Sequence, residues 1–289
     1  MAHLDDFTLE RLRLAADLPD LRETRYEIVR EIARGGTGSV YEAHDRRLRR
    51  TVALKVITVP ETTPAAATRL EEEAQRLARL EHAGIVPVHD TGLLRDGRAY
   101  YAMKLVRGKR LDEIVLTAGR AELLRIFSRV CDTVAHAHAH HVLHRDLKPQ
   151  NVMIGAFGEV LVMDWSEVAG TPGFRAPEQA TAGASVDRRT DVYALGSMLR
   201  WMLYSSPGPV PRALAAIATK ATAPNADDRY DRVERLAADV AAFVEHRRVA
   251  AYAEPLWERA ARFIGKYRTP IGLVVAYLLL RIGLLLAQR

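Results

Sequence analysis

The chain has 289 residues, 48% hydrophobic and 27% charged, enough for one large domain or two lobes and too ordinary for wholesale disorder. The single cysteine, Cys131, excludes an internal disulfide and any multi-cysteine metal cluster. The net charge of +6 comes almost wholly from arginine, with only six lysines, and no stripe of arginine interleaved with aromatics points to nucleic acid.

Residues 1–25 read as a charged amphipathic helical extension with a turn at Pro19; Asp5 and Asp6 stand where a signal peptide would be basic and then apolar. From Tyr26 to about Val106 the pattern is strand-like, notably Val52-Ala53-Leu54-Lys55-Val56-Ile57, and one helix interrupts it over about 65–80. Beyond Gly108 helices dominate, at about 120–141, 187–204, 211–222 and 232–247, broken by a hairpin over 152–162. The organisation expected is a strand-rich small lobe (26–107), a helical large lobe (108–248), a basic linker (249–269) and an apolar tail (270–289).

Within the tail, 271–287 is apolar apart from Arg281 and follows Arg259, Arg262, Lys266 and Arg268. Seventeen residues at helical rise reach about 26 Å, the short limit for a bilayer core. Its eleven Leu, Ile and Val contribute about −3 to −7 kcal/mol against about +3 for Arg281, so insertion wins by a small margin. An interfacial or docked helix is the competing expectation. The basic flank orients the large lobe to the cytoplasmic side of a single-pass inner membrane anchor. Gly272 and Ala276 offer a weak small-residue face for homodimerisation, and no outer sensor domain is expected after the tail.

The densest chemistry lies in His144-Arg145-Asp146-Leu147-Lys148-Pro149-Gln150-Asn151. Asp146 can accept a proton from an incoming hydroxyl, Lys148 can neutralise a phosphoryl group in flight, and Asn151 can hold a metal ion. Phosphoryl transfer asks mainly for positioning and charge stabilisation, which such a loop offers. Ala33-Arg34-Gly35-Gly36-Thr37-Gly38-Ser39-Val40 joins two strands, and its glycines let backbone amides approach phosphate oxygens. Lys55 lies on an apolar strand and needs a partner, for which Glu71, Glu72 and Glu73 compete. His136, His138, His140 and His141 have helical metal spacing, but no carboxylate or cysteine completes a ligand set. His144 reads as a packed, hydrogen-bonded loop residue.

The loop at 144–151, with Lys148, resembles the catalytic loop of bacterial Hanks-type serine/threonine protein kinases, and ordered motifs extend the resemblance from Tyr26 to Arg248. The resemblance implies an α+β bilobal kinase fold, followed here by a single transmembrane helix. It implies transfer of the ATP γ-phosphate to protein Ser/Thr hydroxyls in membrane-anchored signalling, with ATP and Mg²⁺ as cofactors and a protein substrate. It assigns Asp146 and Lys148 to catalysis and Asn151 and Asp164 to the metal. Ala33, Arg34, Gly35, Gly36, Gly38, Val40, Ala53, Lys55 and its partner Glu73 line the nucleotide site. Met103 backs the pocket, and the backbone of Lys104 and Val106 bonds the purine. Arg145, Thr171, Glu178, Asp191 and Arg229 take structural or regulatory roles, with Glu178 paired to Arg229 and Asp191 holding the catalytic loop.

The sequence departs from the family in four places. Ala33 replaces the first glycine of the loop, Trp165 and Ser166 replace the aromatic and glycine after the metal aspartate, and two stretches are short. Only Ser166-Glu167-Val168-Ala169 separates Trp165 from Gly170, leaving Thr171 and Ser166 as the hydroxyls near Arg145. Ser205–Pro211 is also short for the usual substrate platform. The alternative expectation is therefore a pseudokinase-like module that binds ATP and acts as a scaffold. Retention of Lys55, Glu73, Asp146, Lys148, Asn151 and Asp164 favours the active enzyme.

Overall fold

The computed structural model describes residues 18–35, 38–57, 64–165, 170–181 and 185–255, with Leu273, Tyr277, Leu278 and Arg281 in the tail. Expectations for the extension before residue 18, for Gly36, for 166–169 and for most of the tail lie outside the described residues. Among the described residues no helix is long and apolar enough to cross a membrane.

Five antiparallel strands form the first sheet: β1 (Tyr26–Gly35), β2 (Gly38–Asp45), β3 (Arg50–Val56), β4 (Val88–Leu93) and β5 (Ala99–Lys104), in the order β1-β2-β3-β5-β4. Alternation along a strand sends successive side chains to opposite faces. Val52, Leu54 and Val56 join Tyr26, Tyr41, Tyr100 and Ala102 in one apolar cluster. Ala53 and Ile57 join Tyr101 and Met103 in the other, larger one. Lys55 shares the face of Ala53 and Ile57, and its register partner on β5 is Tyr101. Gly38 sits where a side chain has no room, since a Cβ there would come within 2.4 Å of the Val56 carbonyl oxygen.

Helix α1 (Pro64–Ala78) interrupts the strands. Leu70, Ala74 and Leu77 recur on its buried face, and Glu73 shares that face while Glu71 and Glu72 are exposed. The turn after α1 touches the large lobe directly. Val162 N–H donates to the Gly84 carbonyl at 2.8 Å, and Ile85 bridges to Val162. A Cβ on Gly84 would meet Thr133 Oγ1 at 2.0 Å, so only glycine permits this approach.

The large lobe begins with β6 (Gly108–Arg110) and the single turn α2 (Leu111–Ile114), then α3 (Arg120–Ala139). Strand β6 pairs with the hairpin β7 (Val152–Gly155) and β8 (Val160–Val162). Helices α4 (Arg188–Ser205), α5 (Arg212–Ala221) and α6 (Val233–Val244) complete it, with α3 packed on α4 and α6. Phe127, Val130, Val134 and Ala137 give α3 a fully buried stripe at helical spacing. The larger cluster runs from α1 and β5 through α3, β8 and α4, so both lobes share one apolar core.

Candidate functional site

Lys55 Nζ lies 2.9 Å from Glu73 Oε1 and 3.1 Å from Asp164 Oδ1, tying β3, α1 and the segment after β8 to one ammonium. Tyr101 O–H donates to the same Glu73 oxygen at 2.9 Å. Burial alone would pull the lysine down. The Tyr101 oxygen, Glu73 and Asp164 outweigh it and hold Lys55 well above its ordinary value. Burial likewise pushes Asp164 up, but the adjacent Lys55 charge wins and its carboxyl stays below the usual range. Both groups are therefore charged at neutral pH, and the lysine can exchange a carboxylate for a phosphate oxygen without changing protonation.

The catalytic loop follows α3. Its backbone is set by Asp191, which starts α4 and accepts the N–H groups of His144 and Arg145, each at 2.8 Å. Arg145 has φ of 67°, a left-handed conformation that a non-glycine residue holds only when neighbours enforce it. His138 completes the anchor, its Nε2 lying 2.7 Å from Asp191 Oδ2. Burial pushes the Asp191 carboxyl up, yet His138 and the loop bring it below its ordinary value. His144 is fully buried, lies 2.9 Å through Nε2 from the Met163 carbonyl and accepts Asp146 N–H on Nδ1 at 3.3 Å. That network defines a neutral Nε2–H ring, and burial lowers its pKa.

Asp146 is surrounded by donors. Its Oδ1 accepts Thr171 N–H at 2.9 Å and the Thr171 hydroxyl at 2.7 Å. Its Oδ2 accepts Lys148 Nζ at 2.7 Å and Asn151 Nδ2 at 3.3 Å. Lys148 also donates to Thr171 Oγ1 at 2.8 Å. These four bonds match the acceptor capacity of a carboxylate, so an incoming hydroxyl must displace one of them. The Thr171 hydroxyl is the chemically equivalent group. Thr171, one of the two hydroxyls near Arg145 noted in the sequence, is engaged by the Asp146 and Lys148 side chains, because the chain turns back onto the loop immediately after Gly170.

Asn151 Nδ2 also donates to the Asp146 carbonyl at 2.8 Å, which aims its oxygen away from the loop. Asn151 Oδ1 and Asp164 Oδ2 form no hydrogen bond among the described residues. Two hard oxygen donors beside a lysine suit Mg²⁺ shared with phosphates. Asp164 has φ of 58° and is followed by the buried Trp165. The indole N–H donates to the Val162 carbonyl at 3.0 Å, and the ring stacks on His144 at 4.6 Å. Trp165 thus fixes the backbone that presents Asp164.

In the nucleotide cleft, Val40 and Val106 pack against the cluster that holds Ala53 and Met103. Lys104 N–H is engaged by the Pro87 carbonyl at 3.0 Å, which leaves a purine contact at Lys104 to its carbonyl alone. Gly35 pairs with Gly38 at the loop's base, where Ala33 and Arg34 are exposed and Arg34 is ion-paired to Glu31. Glu178 meets Arg229 in a two-pronged pair at 2.7 and 2.9 Å and accepts Thr190 O–H at 2.9 Å. Arg229 is fully buried and stacks over Tyr193.

Three participants were not legible in the sequence: Tyr101 on Glu73, His138 on Asp191, and Gln179, whose Nε2 donates to the Arg145 carbonyl at 2.8 Å. Tyr101 had a signal, since strand alternation places it opposite Lys55 once β3 and β5 are paired. His138 and Gln179 had none, because their partners lie 53 and 34 residues away in the chain.

The family described as the protein kinase domain matches residues 26–245. The serine/threonine-protein kinase PknD of Chlamydia muridarum is 35% identical over 231 residues, covering 62% of this chain and 24% of that protein. PknB of Mycolicibacterium smegmatis, also a serine/threonine-protein kinase, is 32% identical over 271 residues, covering 77% of this chain and 43% of that protein. The crystal structure of the M. tuberculosis PknI kinase domain superposes with a TM-score of 0.65 at 27% identity, over 77% of this chain and 96% of that one. The chain spans about a quarter to two fifths of the length of these curated relatives.

Proposed function

Because the chain belongs to the protein kinase domain family, we propose that it transfers the γ-phosphate of ATP to serine and threonine hydroxyls of proteins. The observation that carries this reading is the Asp146 carboxylate held between Lys148, Asn151 and the Thr171 hydroxyl. An acceptor Ser or Thr replaces the Thr171 hydroxyl on Asp146 Oδ1, which orients its oxygen and receives its proton as that oxygen bonds the γ-phosphorus and the bond from phosphorus to the β–γ bridging oxygen breaks, releasing ADP. Lys148, already beside that oxygen, neutralises the phosphoryl group in transit. Lys55, kept charged by Glu73, holds the phosphates that remain with the nucleotide. Asn151 and Asp164 would hold Mg²⁺, which would supply further neutralisation of phosphate charge.

The test is transfer of labelled phosphate from ATP with Mg²⁺, alongside Asp146→Asn. Loss of the base lowers kcat by about 10²–10⁴-fold while nucleotide affinity stays within a small factor. Transfer that survives Asp146→Asn unchanged sinks the assignment of the base. Nucleotide binding without transfer in the wild type supports the scaffold reading instead.

The tail anchors the enzyme to the cytoplasmic membrane as a single pass, with the kinase on the cytoplasmic side and Gly272 and Ala276 favouring a homodimer. Its support is the apolar run 271–287 behind four basic residues. Membrane-pelleted protein that resists alkaline carbonate is the expected outcome; release by carbonate refutes a span.

A further inference from the structure

Three imidazoles meet where the small lobe is fastened to the large one. His82, on the turn between α1 and β4, lies against His136 with ring centroids 4.8 Å apart and the rings tilted by 30°. His136 in turn meets His140, the residue that caps the C-terminus of α3, at 4.4 Å with the rings tilted by 41°. The turn is bound to the large lobe at the same place, through Gly84 against Thr133 and through the Val162 N–H to the Gly84 carbonyl. His82 Nδ1 accepts the Gly84 N–H at 3.0 Å, so the ring shapes the residue that makes the contact. His136 Nε2 is sealed from solvent with no hydrogen-bond partner among the described residues. His140 Nδ1 lies 2.9 Å from the His136 carbonyl.

We propose that the His82–His136–His140 stack is a proton-responsive fastening of the Glu73 helix to the large lobe, closed when the rings are neutral and loosened by imidazolium. A proton on His82 Nδ1 would set an N–H against the Gly84 N–H and abolish that bond. Charges on neighbouring rings repel at this separation. Burial, with His140 and His82 as the charges beside it, lowers the His136 pKa. The nearby acids do not offset this: Glu81 on the turn and Asp132 on α3 are both exposed and form no ion pair with the stack among the described residues. Because the His136 pKa lies below its ordinary value of about 6.5, its neutral ring is favoured in the fold above that value, and this contribution is lost as pH falls through the folded value. Since α1 carries Glu73 to Lys55, loosening the turn lowers phosphotransfer; this last link rests on the kinase reading.

Hydrogen exchange of the Gly84 amide in the 289-residue chain, without nucleotide, tests the fastening apart from activity. After correction for intrinsic rates, protection at pH 5.5 is expected to fall several-fold, and by no more than about tenfold, from pH 7.5, while amides in α4 hold theirs. His82→Asn places an oxygen acceptor near the Nδ1 position and cannot titrate, so it keeps protection at both pH values. His82→Phe stacks without an acceptor and is unprotected at both. His89 and His144, whose pKa values are also lowered, remain in every variant and cancel from the comparison. Equal protection of the wild type at the two pH values, or a wild-type fall retained in His82→Asn, overturns the proposal. Failure of phosphotransfer with the exchange pattern intact overturns only the enzymatic reading.

Discussion

Lys55 is buried on an apolar strand, and its position is tolerable because three oxygen-bearing groups converge on it. Glu73 and Asp164 supply charge, and the Tyr101 hydroxyl steadies Glu73. Removing the ammonium leaves the buried Glu73 carboxylate without its counter-charge and facing the Asp164 carboxylate across the cleft. Lys55→Met is therefore expected to lower kcat by about 10²–10³-fold, measured as labelled transfer at saturating ATP. Tyr101→Phe removes one bond to a charged group and leaves the ion pair. It should cost about 1.5–3 kcal/mol, seen as a fall in denaturation midpoint with much of the activity retained. The resemblance to protein kinases chose Glu73 among the three competing glutamates, whereas Tyr101 was missed because its relevance depends on the β3–β5 register.

At the scale of elements, the catalytic loop is a strained connection made rigid by helices that flank it. Asp191 from α4, itself held by His138 from α3, grips its backbone, and Gln179 takes the Arg145 carbonyl. The segment that returns from Asp164 is fastened in turn by Glu178 to Arg229, between the start of α4 and the approach to α6. Burial opposes ionisation of Glu178, but Arg229 and Thr190 bring its pKa below the ordinary carboxylate value. Its contribution to stability is therefore present above about pH 4.3 and is lost as pH falls through the folded-state value. Glu178→Gln leaves Arg229 buried with a half-satisfied partner and should cost about 3–5 kcal/mol at pH 7. The midpoint difference between wild type and variant should shrink on acidification below that range. A difference that is constant from pH 7 to pH 3 would contradict the sign.

For the whole molecule, one apolar core passes through both lobes, yet the groups proposed to hold nucleotide come from each side of the cleft. A ligand that spans them stabilises the native state by mass action. Saturating ATP with Mg²⁺ at about 100 times its Kd should add about 2.7 kcal/mol. For a domain of this size that is a rise of about 5–10 °C in thermal midpoint. Chelating Mg²⁺ should reduce the shift, and Asp164→Asn should make it insensitive to chelation. A full shift in the variant that still depends on Mg²⁺ counts against Asp164 as a ligand.

What the sequence by itself determined was local: strand alternation around Lys55, the apolar face of α1 that includes Glu73, helical stripes after Gly108, and a loop dense in phosphoryl-transfer chemistry. These follow from period, propensity and short spacing, which act within a few residues. Only the tertiary structure decided that Thr171 lies on Asp146 and Lys148, that His138 completes the Asp191 anchor, and that His82 joins His136 and His140 at the end of α3. Each of these depends on chain segments far apart in sequence being held within hydrogen-bond or stacking distance. That proximity comes from a shared core, which no local pattern encodes.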